Sequence, residues 1–506
     1  VLPKIDGDDQ DSLRWRSEVG NPKERRYVRV AGVSPDIDIL PFTNDLDTLM
    51  RGVAERVFMV KSGDGFTRPP RPAPGHFSRQ LEATRDLLRK HLPSTAPVSH
   101  QQFVDAYKGR KRMIYQNALD DIRAGRSRLE DDARLNIFVK FEKTDCTTKK
   151  DPVPRIISPR DPRFNVRLGR YLKPLEHRIF KSIAKLYGHP TVIKGFNAVD
   201  SARILREKWE MFRQPVVVGL DASRFDQHVS LDALRWEHGI YLDCFKQVKH
   251  RKRLRTLLKL QEVNRCRGEV PNGVVEYTIA GTRMSGDMNT SLGNCILMCA
   301  MIHSYAKCRG VDVQLANNGD DCVVFMEQRD LAKFMDDLPS WFLAMGFNMT
   351  IEDPVTEFDQ LEFCQTRPVY DGIDWIMCRN PHTALVKDSV MLKPWDSVKF
   401  YRGWLDAVGT GGIALTGGLP VFQEFYAAYV RSGCKRAIPT DLLPWSFRQL
   451  KEGVNREYST VSAEARASFY WAFGVTPDEQ LCLEGYYRNL NLTTVPGPYA
   501  PRLIMA

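Results

Sequence analysis

The chain has 506 residues, of which 43% are hydrophobic, 27% charged and 10% aromatic; that length accommodates about three lobes and a sizeable core without disulfides or metals, and the ordinary mix excludes collagen, mucin stalks and wholly disordered tails. Lys plus Arg outnumbers Asp plus Glu by 73 to 62, a net charge of +11, which points to a polyanionic partner, nucleic acid ahead of anionic membrane. The 11 cysteines include no CxxC pair and read as reduced core thiols rather than a disulfide scaffold or a zinc site.

In chain order, residues 1–28 are charged and lack apolar periodicity, so they read as a flexible lead-in. The Pro/Gly-rich stretch 62–75 (SGDGFTRPPRPAPG) reads as a linker or surface loop. From about residue 77 to 126 the pattern is helical and basic, with Lys108, Arg110, Lys111 and Arg112 clustered. Strands are expected at 137–141 and 155–157, around a polar loop bearing lysines. Arg163, Arg167, Arg170 and Lys173 recur at helical spacing and share one face, either solvated or in contact with phosphates. The run PVVVGL at 215–220 fits a buried strand. The densest basic run, Lys249-His250-Arg251-Lys252-Arg253, fits a solvated face, a nuclear-targeting signal or an RNA-backbone contact through Lys252 and Arg253. Residues 292–305 read as a buried helix. Strands at 311–316 and 322–325 flank Asn317-Asn318-Gly319-Asp320-Asp321 as a β-hairpin. Residues 409–418 read as a Gly-rich surface loop; no Lys-Ser/Thr follows it, so it is not a P-loop.

The longest apolar run, 295–302, is under half of the ~20 residues a membrane-spanning helix needs, and no signal peptide is visible. The sequence begins at Val1. A processed product, a recombinant fragment, or the downstream part of a longer polyprotein or readthrough product is therefore expected.

The acidic residues carry the most chemistry. Adjacent Asp320 and Asp321 at a hairpin tip repel each other, so the turn gains from them only with a cation present, and carboxylate oxygens are what Mg²⁺ prefers. Asp221 immediately follows the buried strand and can reach the same cleft, although taken alone it fits a helix N-cap or turn equally well. Two divalent ions held there would activate an attacking hydroxyl and stabilise a leaving oxygen, the chemistry of nucleotidyl transfer. Asp226, five residues on, offers a polar group to a ribose 2′-hydroxyl where a bulky aromatic would exclude it.

These motifs resemble those of viral RNA-dependent RNA polymerases, most closely those of plus-strand plant viruses of the tombusvirus, carmovirus and luteovirus type. The resemblance runs from about residue 108 to 369. LDASRFDQHVS at 220–230 is similar to the family's motif A, RMSGDMNTSLGN at 283–294 to motif B and NGDD at 318–321 to motif C. FVKFEKTDCTTKKDPVPRIISP at 138–159 is similar to motif F, and FCQTRPV at 363–369 to motif E. The resemblance implies that Asp221 and Asp320 are the principal metal ligands, with Asp321 supporting, and that Mg²⁺, or Mn²⁺ in its place, is the cofactor. It implies that Asp226, Ser285, Thr290 and Asn294 read the ribose, with Gly286 giving motif B a flexible loop near the template RNA. Lys143, Lys149, Lys150 and Arg155 would line the channel by which the NTP enters, although Lys149 and Lys150 fit a solvated loop pair as well. One departure stands out: 345–353 (MGFNMTIED), where many such polymerases carry a motif D lysine, has no Lys, Arg or His, so the general acid for pyrophosphate is unassigned.

The implied fold is α+β, a right-hand polymerase with an antiparallel palm sheet. Its expected parts are an N-terminal extension at 1–62, fingers at 63–214, a palm at 215–365 with a fingers insertion around 235–275, and a thumb and tail at 366–506. The implied reaction is template-directed, two-metal RNA synthesis from NTPs, with primer-independent initiation. RNA and NTPs are the expected partners, with a membrane-anchoring replication partner or a missing upstream segment placing the chain in membrane-bound complexes of the host cytoplasm. A non-catalytic RNA-binding or capsid-like protein would explain the charge but not carboxylates at strand ends. Asp226 and Gly319 argue against a reverse transcriptase or DNA polymerase.

Overall fold

The computed structural model describes residues 11–492 apart from 23–24, 31, 34–38, 149–150, 393–396, 436–449 and 451. It is a mixture of helices and mainly antiparallel sheets. One four-stranded sheet positions the acidic residues. Its order is Gln314–Asn318, Asp321–Glu327, Pro215–Ala222 and Met349–Ile351, so the strand expected at 215–220 lies inside the sheet and runs two residues further. β-Branched Val216, Val217 and Val218 suit this place because both faces are covered. Val216, Val218, Leu220 and Ala222 pack into a core shared with the helix Thr290–Arg309. Val217 packs on the opposite face with Val323, Phe325 and Trp404. The helix Thr290–Arg309 is buried on nearly every side from Leu292 to Ala306, which is why it reads as a continuous apolar run.

A second sheet has the order Ser12–Ser17, Gly273–Ala280, Val263–Val270 and Leu135–Asn136. Its first strand corrects the flexible lead-in expected over 1–28. Ser12 pairs with Thr278 and Ser17 with Gly273 along an antiparallel ladder. Almost all of this strand's side chains are exposed, and only Leu13 packs against the core. An edge strand held by backbone bonds leaves no apolar alternation to read.

Two glycine-rich segments also differ from expectation. Residues 62–75 are exposed over most of their length and irregular over 68–73, as a surface loop would be, but they are not a free linker. Strands Val60–Ser62 and Gly65–Thr67 pair as a hairpin, and Arg71 then donates to the carbonyls of Gln227 (3.1 Å) and His228 (3.2 Å) and to the Thr282 hydroxyl (3.3 Å). Residues 409–418 are largely not a loop, because the helix Val398–Thr416 runs through them and packs on the helix Phe422–Ser432. A Cβ on Gly412 would come within 2.2 Å of the Tyr426 ring, and one on Gly409 within 2.8 Å of the Tyr426 carbonyl oxygen. Here glycine permits close helix contact rather than breaking the helix. Among the described residues no helix is long and apolar enough to cross a membrane. All 11 cysteines are free, and Cys295, Cys299 and Cys322 are buried.

Candidate active site

Asp221 and Asp321 are direct partners across the antiparallel pair of Pro215–Ala222 and Asp321–Glu327. Residues opposite each other in such a pair project from the same face of the sheet, so two carboxylates 100 positions apart in sequence lie side by side. Asp221 belongs to the strand rather than following it. The hairpin closes more tightly than expected: Asn318 already pairs with Asp321, leaving Gly319 and Asp320 as the turn. Gly319 has φ +82°, a left-handed geometry that disfavours other residues. Buried Asn317 braces it, donating from Nδ2 to the Gly319 carbonyl (2.7 Å) and accepting from the Gly319 amide (3.2 Å). Asp320 is therefore presented at the tip, exposed, beside the other two acids.

Burial and the Asp320 charge push the Asp321 carboxyl up to about 7, despite a hydrogen bond with Cys364. A group held this way gains from a nearby cation. Sequence reasoning missed Glu352, whose carboxylate lies over Gly219 so closely that a Cβ there would meet its Oε2 at 2.0 Å. Burial, Glu362 and Asp221 raise its carboxyl too. Among the described residues no three His, Cys, Asp or Glu side chains form a ready-made metal cage. The donor set nevertheless fits Mg²⁺, which usually takes one or two carboxylates and completes its shell with waters and substrate phosphates.

A pocket opens next to Asp320, lined among others by Arg56, Arg155, Arg224, Asp226 and Ser285. Asp226 accepts a hydrogen bond from Asn294 Nδ2 at 2.8 Å. Burial and Asp320 raise its carboxyl, against the pull of Asn294 and Arg283. The Ser285 carbonyl accepts from the Ser158 amide at 2.7 Å, tying this loop to the segment after Arg155. Gly286 has φ +133°, and a Cβ there would stand 3.0 Å from the backbone of Ser158 and Pro159, so glycine is required. Thr290 departs from expectation. Its hydroxyl bonds the carbonyls of Met284 and Asp287, both at 3.0 Å, and so braces the loop instead of facing the pocket.

The cations of the pocket are mainly arginines from distant segments. Arg155 is about half exposed and lies 3.4 Å from Glu142. Arg56 and Arg224 carry no sequence signal for this role, since only the fold brings them to Arg155. Burial first, then Arg224 and Arg155, lower Arg56 to about 10, and its guanidinium also donates to the Val153 carbonyl at 3.0 Å. Lys143 turns elsewhere: its ammonium donates to the Lys387 carbonyl, and burial lowers it to about 8. Lys149 and Lys150 lie outside the described residues.

The expected arginine stripe on the helix Pro162–Leu172 is engaged internally. Arg163 pairs with Asp161 (2.9 Å) and buried Asp132 (3.1 Å), and Arg167 pairs with Asp132 (2.9 Å). Arg170 donates to the Val98 carbonyl at 2.8 Å. These are half-buried structural contacts, neither a solvated face nor an open phosphate stripe. Lys252 and Arg253 are exposed on the helix Val248–Lys259, which buries Leu254, Leu257 and Leu258 on its other side.

The sequence profile of the family described as viral RNA dependent RNA polymerase matches residues 12–495. The RNA-directed RNA polymerase of Oat chlorotic stunt virus (isolate United Kingdom) is 55% identical over 499 residues, 95% of this chain and 66% of that protein. Those of Tobacco necrosis virus (strain A) and Turnip crinkle virus are 43% and 40% identical, over 92% and 93% of this chain and 64% and 60% of their own lengths. The chain thus spans about three fifths to two thirds of these curated relatives.

Proposed function

The chain belongs to the viral RNA-dependent RNA polymerases, and from that premise we propose that it joins NTPs into RNA on an RNA template, replicating a plus-strand viral genome. The observation that carries this reading is the cross-strand pairing of Asp221 with Asp321 beside Asp320, at the mouth of an arginine-lined pocket. In this reading Asp221, Asp320 and Asp321 hold Mg²⁺. A Mg²⁺ ion held by them would supply a lowered pKa for the attacking 3′-hydroxyl and a counter-charge for the leaving oxygen.

The chain's own groups do the rest. Arg56, Arg155 and Arg224 hold the triphosphate and oppose the charge that grows on pyrophosphate, which favours the transition state over the ground state. Asp226, held by Asn294, accepts a hydrogen bond from the ribose 2′-hydroxyl, while Ser285 lines the same wall. The proton on departing pyrophosphate comes from a group outside 345–353 or from water. The architecture that goes with this reading is a right hand, with fingers over 63–214, palm over 215–365 and thumb over 366–506. Initiation without a primer and attachment to host cytoplasmic membranes through a partner or upstream segment complete the proposal.

Asp320→Ala tests it. Templated incorporation should be abolished while RNA binding and the melting temperature stay near wild type. A folded variant that still polymerises overturns the assignment.

A further inference from the structure

Behind Asp226 lies a buried polar relay that the reaction itself does not use. Arg283 and Glu237 are 3% and 0% exposed. Both arms of the Arg283 guanidinium meet the Glu237 carboxylate, Nη1 at 3.2 Å from Oε1 and Nη2 on Oε2. Glu237 also accepts from the Tyr241 hydroxyl (2.6 Å) and Asn289 Nδ2 (2.9 Å), so the ion pair is well satisfied. The third guanidinium nitrogen, Nε, donates to Asn294 Oδ1 at 3.0 Å.

That last bond fixes an orientation. A guanidinium only donates, so Asn294 must turn its oxygen toward Arg283, which leaves its NH₂ on Asp226 Oδ1. The opposite amide orientation would set oxygen against carboxylate. The Arg283 main-chain amide also donates to the Asp226 carbonyl at 2.8 Å. One residue thus holds the backbone of Asp226 directly and its carboxylate through Asn294. The neighbouring helix leaves space for this pair. A Cβ on Gly293 would fall 2.3 Å from Glu237 Oε1 and 2.4 Å from Arg283 Nη2. Because both side chains are enclosed, neither has room to withdraw.

We propose that Arg283, anchored by Glu237, is the positioning residue for sugar selection: it locks the Asn294 amide so that Asp226 keeps its second carboxylate oxygen turned to the ribose 2′-hydroxyl. The inference rests on the polymerase reading above and adds to it a residue remote from the sugar. Arg283→Lys keeps the charge beside Glu237 but removes the Nε–H that orients Asn294. The ribonucleotide loses its oriented acceptor, whereas a 2′-deoxynucleotide has no hydroxyl to lose it.

The test measures kcat/KM for templated incorporation of a ribonucleotide and its 2′-deoxy counterpart in wild type, Arg283→Lys, Asn294→Ala and the double variant, with folding checked by thermal melts. Loss of a hydrogen bond to a charged group predicts that Arg283→Lys lowers the ribo/deoxy ratio by about tenfold. In the Asn294→Ala background the same change should leave the ratio nearly constant, because the relay is already cut. An unchanged ratio in folded, active Arg283→Lys, a proportional fall for both nucleotides, or an equal fall in both backgrounds overturns the proposal. Should Arg283→Lys fail to fold, Gly293→Ala, which displaces the pair without removing a polar group, is decided by the same ratios. Wild type that incorporates no nucleotide at all overturns the polymerase reading, and this inference with it. A discriminating wild type with an unmoved ratio in the variants removes only Arg283.

Discussion

Asp321 pairs chemical usefulness with a structural cost. Its carboxyl is raised to about 7 by burial and by Asp320, against about 3.9 for an unfolded Asp. The fold therefore favours the protonated form. Its contribution to stability is fully present below about pH 4 and is lost as pH rises to about 7. Asp321→Asn removes this burden, so without divalent cations it should raise the melting temperature at pH 8 and leave it nearly unchanged at pH 4. Equal shifts at both values would contradict the account. Asp221, Asp320 and Asp321 were legible in the sequence because strand and hairpin patterns say where a side chain ends up. Arg56, Arg224 and Glu352 were not, since only the tertiary fold brings them to the pocket and to the acidic strand. Thr290 and Lys143 show a different limit. Motif spacing places a residue along the chain, but the nearest acceptor, a carbonyl of Met284 or of Lys387, decides where its polar end goes.

Among the elements, the helix Val398–Thr416 is the clearest case of packing overriding local preference. Glycine costs a helix about 1 kcal/mol relative to alanine, so Gly409, Gly411 and Gly412 together read as a break. Contact with Tyr426 and Tyr429 reverses that preference. Gly412→Ala should improve helix propensity yet destabilise the protein by about 1–3 kcal/mol through overpacking. Urea unfolding gives the sign, and a stabilised variant would refute the packing argument. The hairpin at 317–321 was readable because its signal is local and its partners are adjacent. The strand Ser12–Ser17 was not, because it pairs with residues over 250 positions away and buries almost nothing.

Over the whole molecule, the 73 Lys and Arg residues overstate the cations available to a polyanion. Much of the basic surface resembles the helix Pro162–Leu172, whose Arg163 and Arg167 are paired with buried Asp132. Lys252 and Arg253 stand on an exposed face, and removing both should reduce the salt slope of single-stranded RNA binding by about 1.4, or 0.7 for each phosphate contact. An unchanged slope in a salt titration would take this helix out of the RNA path. The central position of the strand Pro215–Ala222 also has a temporal side. Both neighbours that flank it, Asp321–Glu327 and Met349–Ile351, leave the ribosome roughly a hundred residues later, a delay of about 5–20 s at ordinary elongation rates. Throughout that interval Asp321 has yet to be made. The nascent polypeptide holds no half-built version of the acidic pair, which cannot exist before the second strand has emerged.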